Sequence, residues 1–205
     1  MVLVIFGCGV AVWTWVDTVS TALAFWLVIV ALAYAIWQVS GCHVNPAVSL
    51  WVWMSGKMSK KELWVYIWAQ FLWAIIWAVI LWVILWDFSA LWANWTSWVE
   101  WSWLIACIVE IVLTFVFVFS VLWVTSKSEN WAVSGVVIWW SLTLVHLLGL
   151  GFTWTSVNPA RSFGPALLQC FSWDFTALWE VWIFIVAPLV WAALAALLFK
   201  YFNKK

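Results

Sequence analysis

The chain is predicted to be an all-α membrane protein with six transmembrane helices and two re-entrant half-helices in an inverted repeat. Of its 205 residues, 69% are hydrophobic and 8% are charged, whereas soluble domains carry about 25% charged residues. Apolar runs of about 20 residues, long enough to cross a bilayer core, recur along the sequence. Because lipid offers backbone groups no hydrogen-bond partner, these runs must be helices. Two shorter apolar segments each begin with Asn-Pro.

The predicted spans are the apolar runs that lie between charged residues and turn residues. They cover residues 1–16, 21–39, 60–86, 103–124, 133–152 and 177–200. The first run is short for a full crossing. The two Asn-Pro segments, 46–54 and 159–171, are too short to cross a bilayer core of about 30 Å, so we predict that they are half-spanning re-entrant helices.

Lysines and acidic residues fall on opposite sides of this six-span chain. All seven lysines lie after spans two, four and six, which face one side of the membrane: Lys57, Lys60, Lys61, Lys127, Lys200, Lys204 and Lys205. Most of the acidic residues lie on the opposite side: Asp17, Asp87, Glu100, Asp174 and Glu180. The positive-inside rule then places the lysines and both termini in the cytoplasm, for a multi-pass protein of the plasma (inner) membrane. Binding to a membrane surface would explain lysine clusters but not this alternation. The net charge of zero gives no indication of a nucleic-acid partner.

The chain divides near residue 100 into two halves, 1–100 and 101–205, with the same plan. Each half has two spans, a half-helix and one more span, so the second half enters the membrane from the opposite side. The tripeptides Asn45-Pro46-Ala47 and Asn158-Pro159-Ala160 occupy matching places in the two halves. One such tripeptide is weak evidence, but two at equivalent positions of an inverted repeat are not a chance match.

The residue types of these motifs suit helices that begin inside the membrane. Asn is a preferred N-cap, and Pro suits the first helical position because it lacks a hydrogen-bond donor. If the half-helices enter from opposite faces, their N-termini meet near the midplane, where each carries roughly half a positive charge that repels cations. The side-chain amides of Asn45 and Asn158 would donate to a passing oxygen, and loop carbonyls would accept. The predicted pore-lining loop residues are Gly41, Cys42, His43, Val44, Ser156 and Val157.

Two longer segments resemble the signature loops of the aquaporin (major intrinsic protein) family. They are Ser-Gly-Cys-His-Val-Asn-Pro-Ala-Val-Ser at 40–49 and Thr-Ser-Val-Asn-Pro-Ala-Arg-Ser-Phe-Gly-Pro-Ala at 155–166. The resemblance covers essentially the whole chain and is closest to the water-selective, bacterial-type branch. It implies an aquaporin-like fold, a homotetramer in the bilayer, no cofactor, and passive passage of water without protons or ions.

The resemblance also implies a narrow selectivity filter formed by Phe25, His146, Thr155 and Arg161. Arg161 is the only arginine, and a charge at membrane depth is by default a functional candidate. The alternative is that its side chain snorkels to the headgroups. A lone histidine on an apolar helix is more often a core group, but the position of His146 matches the filter.

Other residues at family positions separate water from glycerol and indicate structural roles. The glycerol branch typically has a small residue in place of the filter histidine, Asp directly after the arginine, and a basic residue four positions further on. This chain has His146, Ser162 and Ala166 at these places. The resemblance implies that His43 is a structural loop residue and that the Glu110 carboxylate accepts hydrogen bonds from loop backbone.

Enzyme chemistry is not expected. Ser134 and His146 are the residue types of a nucleophile and its base, but twelve helical residues separate them by about 18 Å along the axis. No span contains the series of carboxylates or histidines expected of a metal carrier or proton pump, and no metal site is predicted. The alternatives to a water channel are a facilitator of glycerol or another small neutral solute, and a non-conducting aquaporin-like scaffold.

Tryptophan is abundant and glycine scarce, at 26 and 8 residues. Close helix crossings in membranes need small residues, yet tryptophan stands where this family has such glycines: Trp26, Trp37, Trp64, Trp68, Trp73, Trp77, Trp139, Trp140 and Trp191. We hypothesise an engineered chain in which glycines became tryptophan; the alternative is a natural chain with a heavy aromatic belt. Overpacking costs about 1–3 kcal/mol at each buried site. Trp26 and Trp154 adjoin filter residues, so narrowing of the pore would favour the scaffold alternative.

Overall fold

The computed structural model describes residues 2–15, 17–88, 91–96 and 102–202. Within these ranges, five helices are long and apolar enough to cross a membrane: α2 (Thr18–Ser40), α4 (Lys60–Leu85), α5 (Ser102–Val124), α6 (Trp131–Thr153) and α8 (Thr176–Phe202). Their bounds lie within two or three residues of the predicted spans. The predicted boundary between the two halves at 100/101, together with Glu100, Lys204 and Lys205, lies outside the described residues.

The first predicted span, 1–16, is shorter in the structure. A π-helix, Val4–Cys8, continues as the α-helix α1 (Gly9–Trp13), and together they are too short to count among the spanning helices. The helix ends where the backbone turns, since Trp15 has a left-handed φ of 51°. Its inner face nevertheless packs in the core, with Val4, Cys8 and Ala11 fully buried.

The helix starts follow from local capping chemistry. The Asp17 side chain accepts from the Ser20 N–H at 2.7 Å and caps α2. Ser59 and Glu62 form a capping box at the start of α4, in which each side chain accepts from the backbone N–H of the other. These contacts satisfy donors that a helix leaves unpaired in its first turn.

The two half-helices are α3 (Pro46–Met54) and α7 (Pro159–Gln169), and each packs against helices of both halves. The first matches the predicted 46–54, whereas the second ends earlier than the predicted 159–171 and continues as the 3₁₀ turn Cys170–Ser172. Helix α3 contacts α4 and α8, and α7 contacts the same two helices. The half-helices are therefore held by the body of the bundle.

The crossing of α7 and α4 depends on a glycine. A Cβ atom on Gly164 would lie 2.6 Å from the backbone oxygen of Ala74, closer than two such atoms approach. Only a residue without a side chain fits here, as expected where membrane helices pack backbone to backbone.

The predicted overcrowding by tryptophan is wrong at five of the nine positions named above. Those five side chains lie on the outside of the bundle: Trp37, Trp64, Trp68, Trp73 and Trp140. Trp139 is buried, while Trp26, Trp77 and Trp191 are half-buried. All five side chains are exposed, although Trp140 stacks on Trp26 and Trp37 also lines the first cavity.

Candidate pore and selectivity site

The two Asn-Pro-Ala motifs meet end to end in the interior. Asn45 caps α3 by accepting from the Ala47 N–H at 2.9 Å, and Asn158 caps α7 by accepting from the Arg161 N–H at 3.2 Å. The amide nitrogen of Asn45 donates to the Val157 carbonyl at 2.7 Å, and that of Asn158 donates to the Val44 carbonyl at 3.0 Å. Each motif is thus bonded to the loop of the other half.

These crossed bonds change the expected role of the asparagines. Both amide groups were expected to donate to a passing molecule, but one hydrogen of each is used by the opposite loop. An amide nitrogen has two hydrogens, and the second is bonded to none of the described residues. The crossed bonds fix the direction of that second hydrogen, because the amide plane cannot rotate while the first bond holds.

The two loops have matching backbone conformations. Cys42 and Thr155, each three residues before the asparagine, have φ values of 47° and 44°; Val44 and Val157, one residue before it, have 40° and 44°. Left-handed φ is uncommon for residues other than glycine and is held only where the surroundings enforce it. Two such residues per loop turn its carbonyls away from a regular helix or strand.

A cavity of about 260 Å³ lies on one side of the motifs. All six predicted loop residues line it, as do both motif asparagines. Phe25 and His146 line it as well, and so do Lys57 and Thr125. The cavity therefore extends from the lysine-bearing side of the bundle to two of the predicted filter residues.

Phe25 lies next to two other predicted filter residues, His146 and Arg161. The rings of Phe25 and His146 stack with centroids 4.5 Å apart, and the Arg161 guanidinium carbon lies 5.4 Å from the Phe25 centroid. All three residues are buried, and Arg161 does not reach the surface. The snorkelling alternative for Arg161 is therefore wrong.

Three of the predicted filter residues present polar atoms that have no protein partner among the described residues. These atoms are His146 Nε2, Thr155 Oγ1 and Arg161 Nε. His146 Nδ1 lies 2.8 Å from the Leu142 carbonyl, which can only accept, so this nitrogen carries the hydrogen and Nε2 of the neutral ring is an acceptor. These buried atoms include both donors and acceptors.

A second cavity opens on the acidic side, lined by Asp87 and Asp174 and by the rings of Trp92 and Trp154. The two rings lie with centroids 4.4 Å apart. Neither cavity is lined by Thr155 or Arg161, which are fully buried.

The Glu110 carboxylate accepts hydrogen bonds from the loop that precedes the second motif. Its carboxylate accepts from the N–H groups of Ser156 and Val157, each at 2.8 Å, and from the Thr153 hydroxyl at 2.7 Å. In the first loop, His43 Nδ1 lies 3.2 Å from the Ser49 hydroxyl, which also accepts from Gln70. Both residues thus contact the loops that the family resemblance assigned to them.

Asn94, which the sequence analysis did not single out, contacts the predicted filter residue Arg161 directly. Its amide donates to the Thr153 carbonyl at 2.7 Å, and its side-chain oxygen accepts from Arg161 Nη1 and from the Ser162 hydroxyl. An asparagine between two spans usually indicates a turn, so its residue type alone did not indicate a role in the site. The available signal was an amide within an otherwise apolar segment of a chain with few polar residues.

Comparison with known proteins gives one consistent result. The model of the family described as "Major intrinsic protein" matches residues 1–199. The chain is 38% identical to Aquaporin Z of Brucella melitensis, covering 97% of this chain and 91% of the relative. It is 35% identical to Aquaporin Z of Rhodopseudomonas palustris, with 95% and 85% covered. The X-ray structure of the aquaglyceroporin from Plasmodium falciparum shares the fold, with a TM-score of 0.84, 21% identity and 99% and 91% of the two chains covered.

The fold and the matches define a multi-pass membrane channel rather than an enzyme. The chain belongs to the major intrinsic protein family, as the match over residues 1–199 shows.

Proposed function

We propose that this channel conducts water passively and excludes protons and ions. The observation that supports this best is the buried meeting of the two half-helices, where each asparagine is held by the opposite loop and offers one further hydrogen. Two helix N-termini at this point give a local positive potential without a titratable group. A neutral molecule that accepts hydrogen bonds passes such a point, whereas a cation is repelled.

The filter residues support water over a larger solute. Phe25 and His146 stack directly, and Arg161 lies over the Phe25 ring. The unpartnered Nε2, Oγ1 and Nε atoms supply hydrogen bonds that a water molecule can make in any direction. A triol such as glycerol would need a wider opening with an apolar wall, and the histidine occupies that space.

Further proposals concern the setting of the channel. One cavity is lined by a lysine and the other by two acids. From the positive-inside rule we propose that the lysine side and both termini are cytoplasmic and that the channel lies in the inner membrane. The two halves, 1–100 and 101–205, act as inverted repeats. The exposed apolar faces of the helices are consistent with lipid contact and with assembly as a homotetramer.

Stopped-flow light scattering of proteoliposomes tests the proposal. Vesicles containing the protein should shrink faster than empty vesicles in an impermeant osmotic gradient, with no faster glycerol entry and no dissipation of a pH gradient. The variant Ile29→Trp places a large ring into the cavity that Ile29 lines, so it should reduce water flux to the level of empty vesicles.

Leu27→Trp is the matched control, because Leu27 lies on the same helix but faces outward. It should leave water flux unchanged. Rapid glycerol entry would instead identify a solute facilitator. Shrinkage no faster than in empty vesicles would identify a non-conducting scaffold.

A further inference from the structure

We propose that Asn94 is a positioning residue that holds the Arg161 guanidinium in the filter. This inference rests on the proposed function of the filter. Asn94 is buried in the segment 91–96, between α4 and α5. Its oxygen accepts from Arg161 Nη1 and Ser162, while its amide is tied to the Thr153 carbonyl at the end of α6.

The guanidinium has few other partners. Nη2 lies 3.5 Å from the Trp154 carbonyl, at the limit of a hydrogen bond, and Nε has no partner among the described residues. Hydrogen bonds to a charged group are the strong ones and fix direction as well as energy. The Asn94 oxygen therefore determines where the charge sits above the Phe25 ring.

The segment that carries Asn94 is itself fastened to the last helix. Glu180 of α8 accepts from the N–H and the hydroxyl of Thr96, each at 2.6 Å. Leu91, at the start of the same segment, is fully buried. A carboxylate on α8 thus fixes Thr96, and the short chain from Thr96 to Asn94 transmits that position to the arginine.

Permeability ratios of Asn94 variants test this role. Asn94→Ala should raise the ratio of glycerol to water permeability by about tenfold, the effect of losing one hydrogen bond to a charged group. Asn94→Asp keeps an acceptor for Arg161 and should keep a low ratio. A purely structural role would lower both permeabilities together and leave the ratio unchanged, which would overturn the proposal.

A stability cycle separates this proposal from the proposed function. The thermal midpoints of Asn94→Ala, Arg161→Ala and the double variant should be non-additive, because coupled groups lose their interaction once. Additive midpoints would overturn the positioning role even if no water flux is found. If the midpoints are non-additive but the unsubstituted protein shows no water flux, the water-channel proposal is rejected and the contact between Asn94 and Arg161 is retained.

A separate observation concerns the tryptophans. Nine described residues other than glycine have left-handed φ, and four of them belong to the two pore loops; the other five are all tryptophan: Trp15, Trp86, Trp92, Trp154 and Trp173. Left-handed φ is a true outlier for a bulky residue and the normal state of glycine. Aromatic belts explain tryptophan at interfaces but not in this backbone conformation.

The repeat shows which residue one of these positions requires. Gly41 ends α2 four residues before Asn45, and Trp154 ends α6 four residues before Asn158. Their φ values are 62° and 58°. Trp86 ends α4 in the same way, with φ 56°. A left-handed residue that terminates a helix is usually glycine.

Buried indole groups also indicate that tryptophan does not suit several of its positions. The ring nitrogens of Trp26, Trp51, Trp92 and Trp139 are buried and have no partner among the described residues, although a buried indole N–H usually finds one. Trp92 shows both features, because its buried ring nitrogen has no partner among the described residues and its backbone has a left-handed φ of 57°.

We infer that the five left-handed tryptophans occupy glycine positions through one cause, the decoding of a UGA codon. Some genetic codes read UGA as tryptophan and others read it as glycine. A single decoding difference changes all five positions in one direction, whereas separate substitutions would have to coincide.

Codon identity and variant stability test the two parts of this inference. All five positions should carry UGA in the gene, and a UGG codon at any of them would overturn the shared cause. Trp154→Gly and Trp86→Gly should each raise the thermal midpoint by roughly 2–4 °C, since the left-handed strain is removed. Trp68→Gly, in the right-handed backbone of α4, should not raise it. An unchanged or lower midpoint for the first two variants would overturn the glycine assignment.

Discussion

Replacing Glu110 by alanine is expected to lower the free energy of unfolding by about 2–6 kcal/mol, because two buried backbone N–H groups lose their acceptor at roughly 1–3 kcal/mol each. Those groups belong to Ser156 and Val157, directly before the second motif. The loss is a large part of the roughly 5–15 kcal/mol by which proteins are stable. Thermal unfolding in detergent, followed by tryptophan fluorescence, measures it.

Two further variants complete this experiment. Glu110→Gln keeps one acceptor oxygen but turns a donor toward the other N–H, so its midpoint should fall between those of the original protein and the alanine variant. Glu129→Ala is the control, because Glu129 is exposed and lies 3.6 Å from an equally exposed Lys127. Exposed pairs contribute about 0–1 kcal/mol. Equal midpoints for Glu110→Ala and Glu129→Ala would show that the carboxylate does not support the loop.

Replacing Arg161 by alanine is expected to raise glycerol permeability by about tenfold or more, which corresponds to a barrier lowered by roughly 1.4 kcal/mol. The side chain is fully buried and is removed from above the Phe25 ring, so the opening widens. The fixed positive charge also disappears, and proton leak should increase. Glycerol entry by light scattering and the decay of a pH gradient measure the two effects.

The variant Arg161→Lys separates the effect of the positive charge from the effect of the width of the opening. Arg161→Lys keeps a cation but lacks the planar fork that reaches both Asn94 and Trp154. It should therefore retain most of the proton exclusion while admitting more glycerol than the original protein. If both variants pass glycerol and protons at the original rate, Arg161 is not a filter residue.

Helices and half-helices were predictable from local chemistry. Apolar runs bounded by charges placed four of the long helices within two residues of their observed ends, and Asn-Pro placed the start of both half-helices. Such features depend on neighbours in sequence, as capping does. The first predicted span was already short for a full crossing, and the observed helix ends at the turn around Trp15.

The contacts between distant segments were not predictable from the residues alone. The amide bonds from Asn45 to Val157 and from Asn158 to Val44 need the relative position of two halves. Asn94 reaches Arg161 from a segment whose sequence indicates only a turn. The left-handed φ of Trp154 likewise could not be predicted from its residue type, although the sequence has a glycine, Gly41, at the equivalent position of the first half. Sequence pattern indicates the faces and ends of helices, whereas these features depend on how the helices and loops come together.

The crossed amide bonds set an order of assembly. They join residues 112 and 114 positions apart, and N-terminal segments emerge first during synthesis. Asn45 is therefore made before Val157, and the bond between them cannot form until most of the chain has been synthesised. The contact between the two motifs can therefore form only after residue 158 has been made.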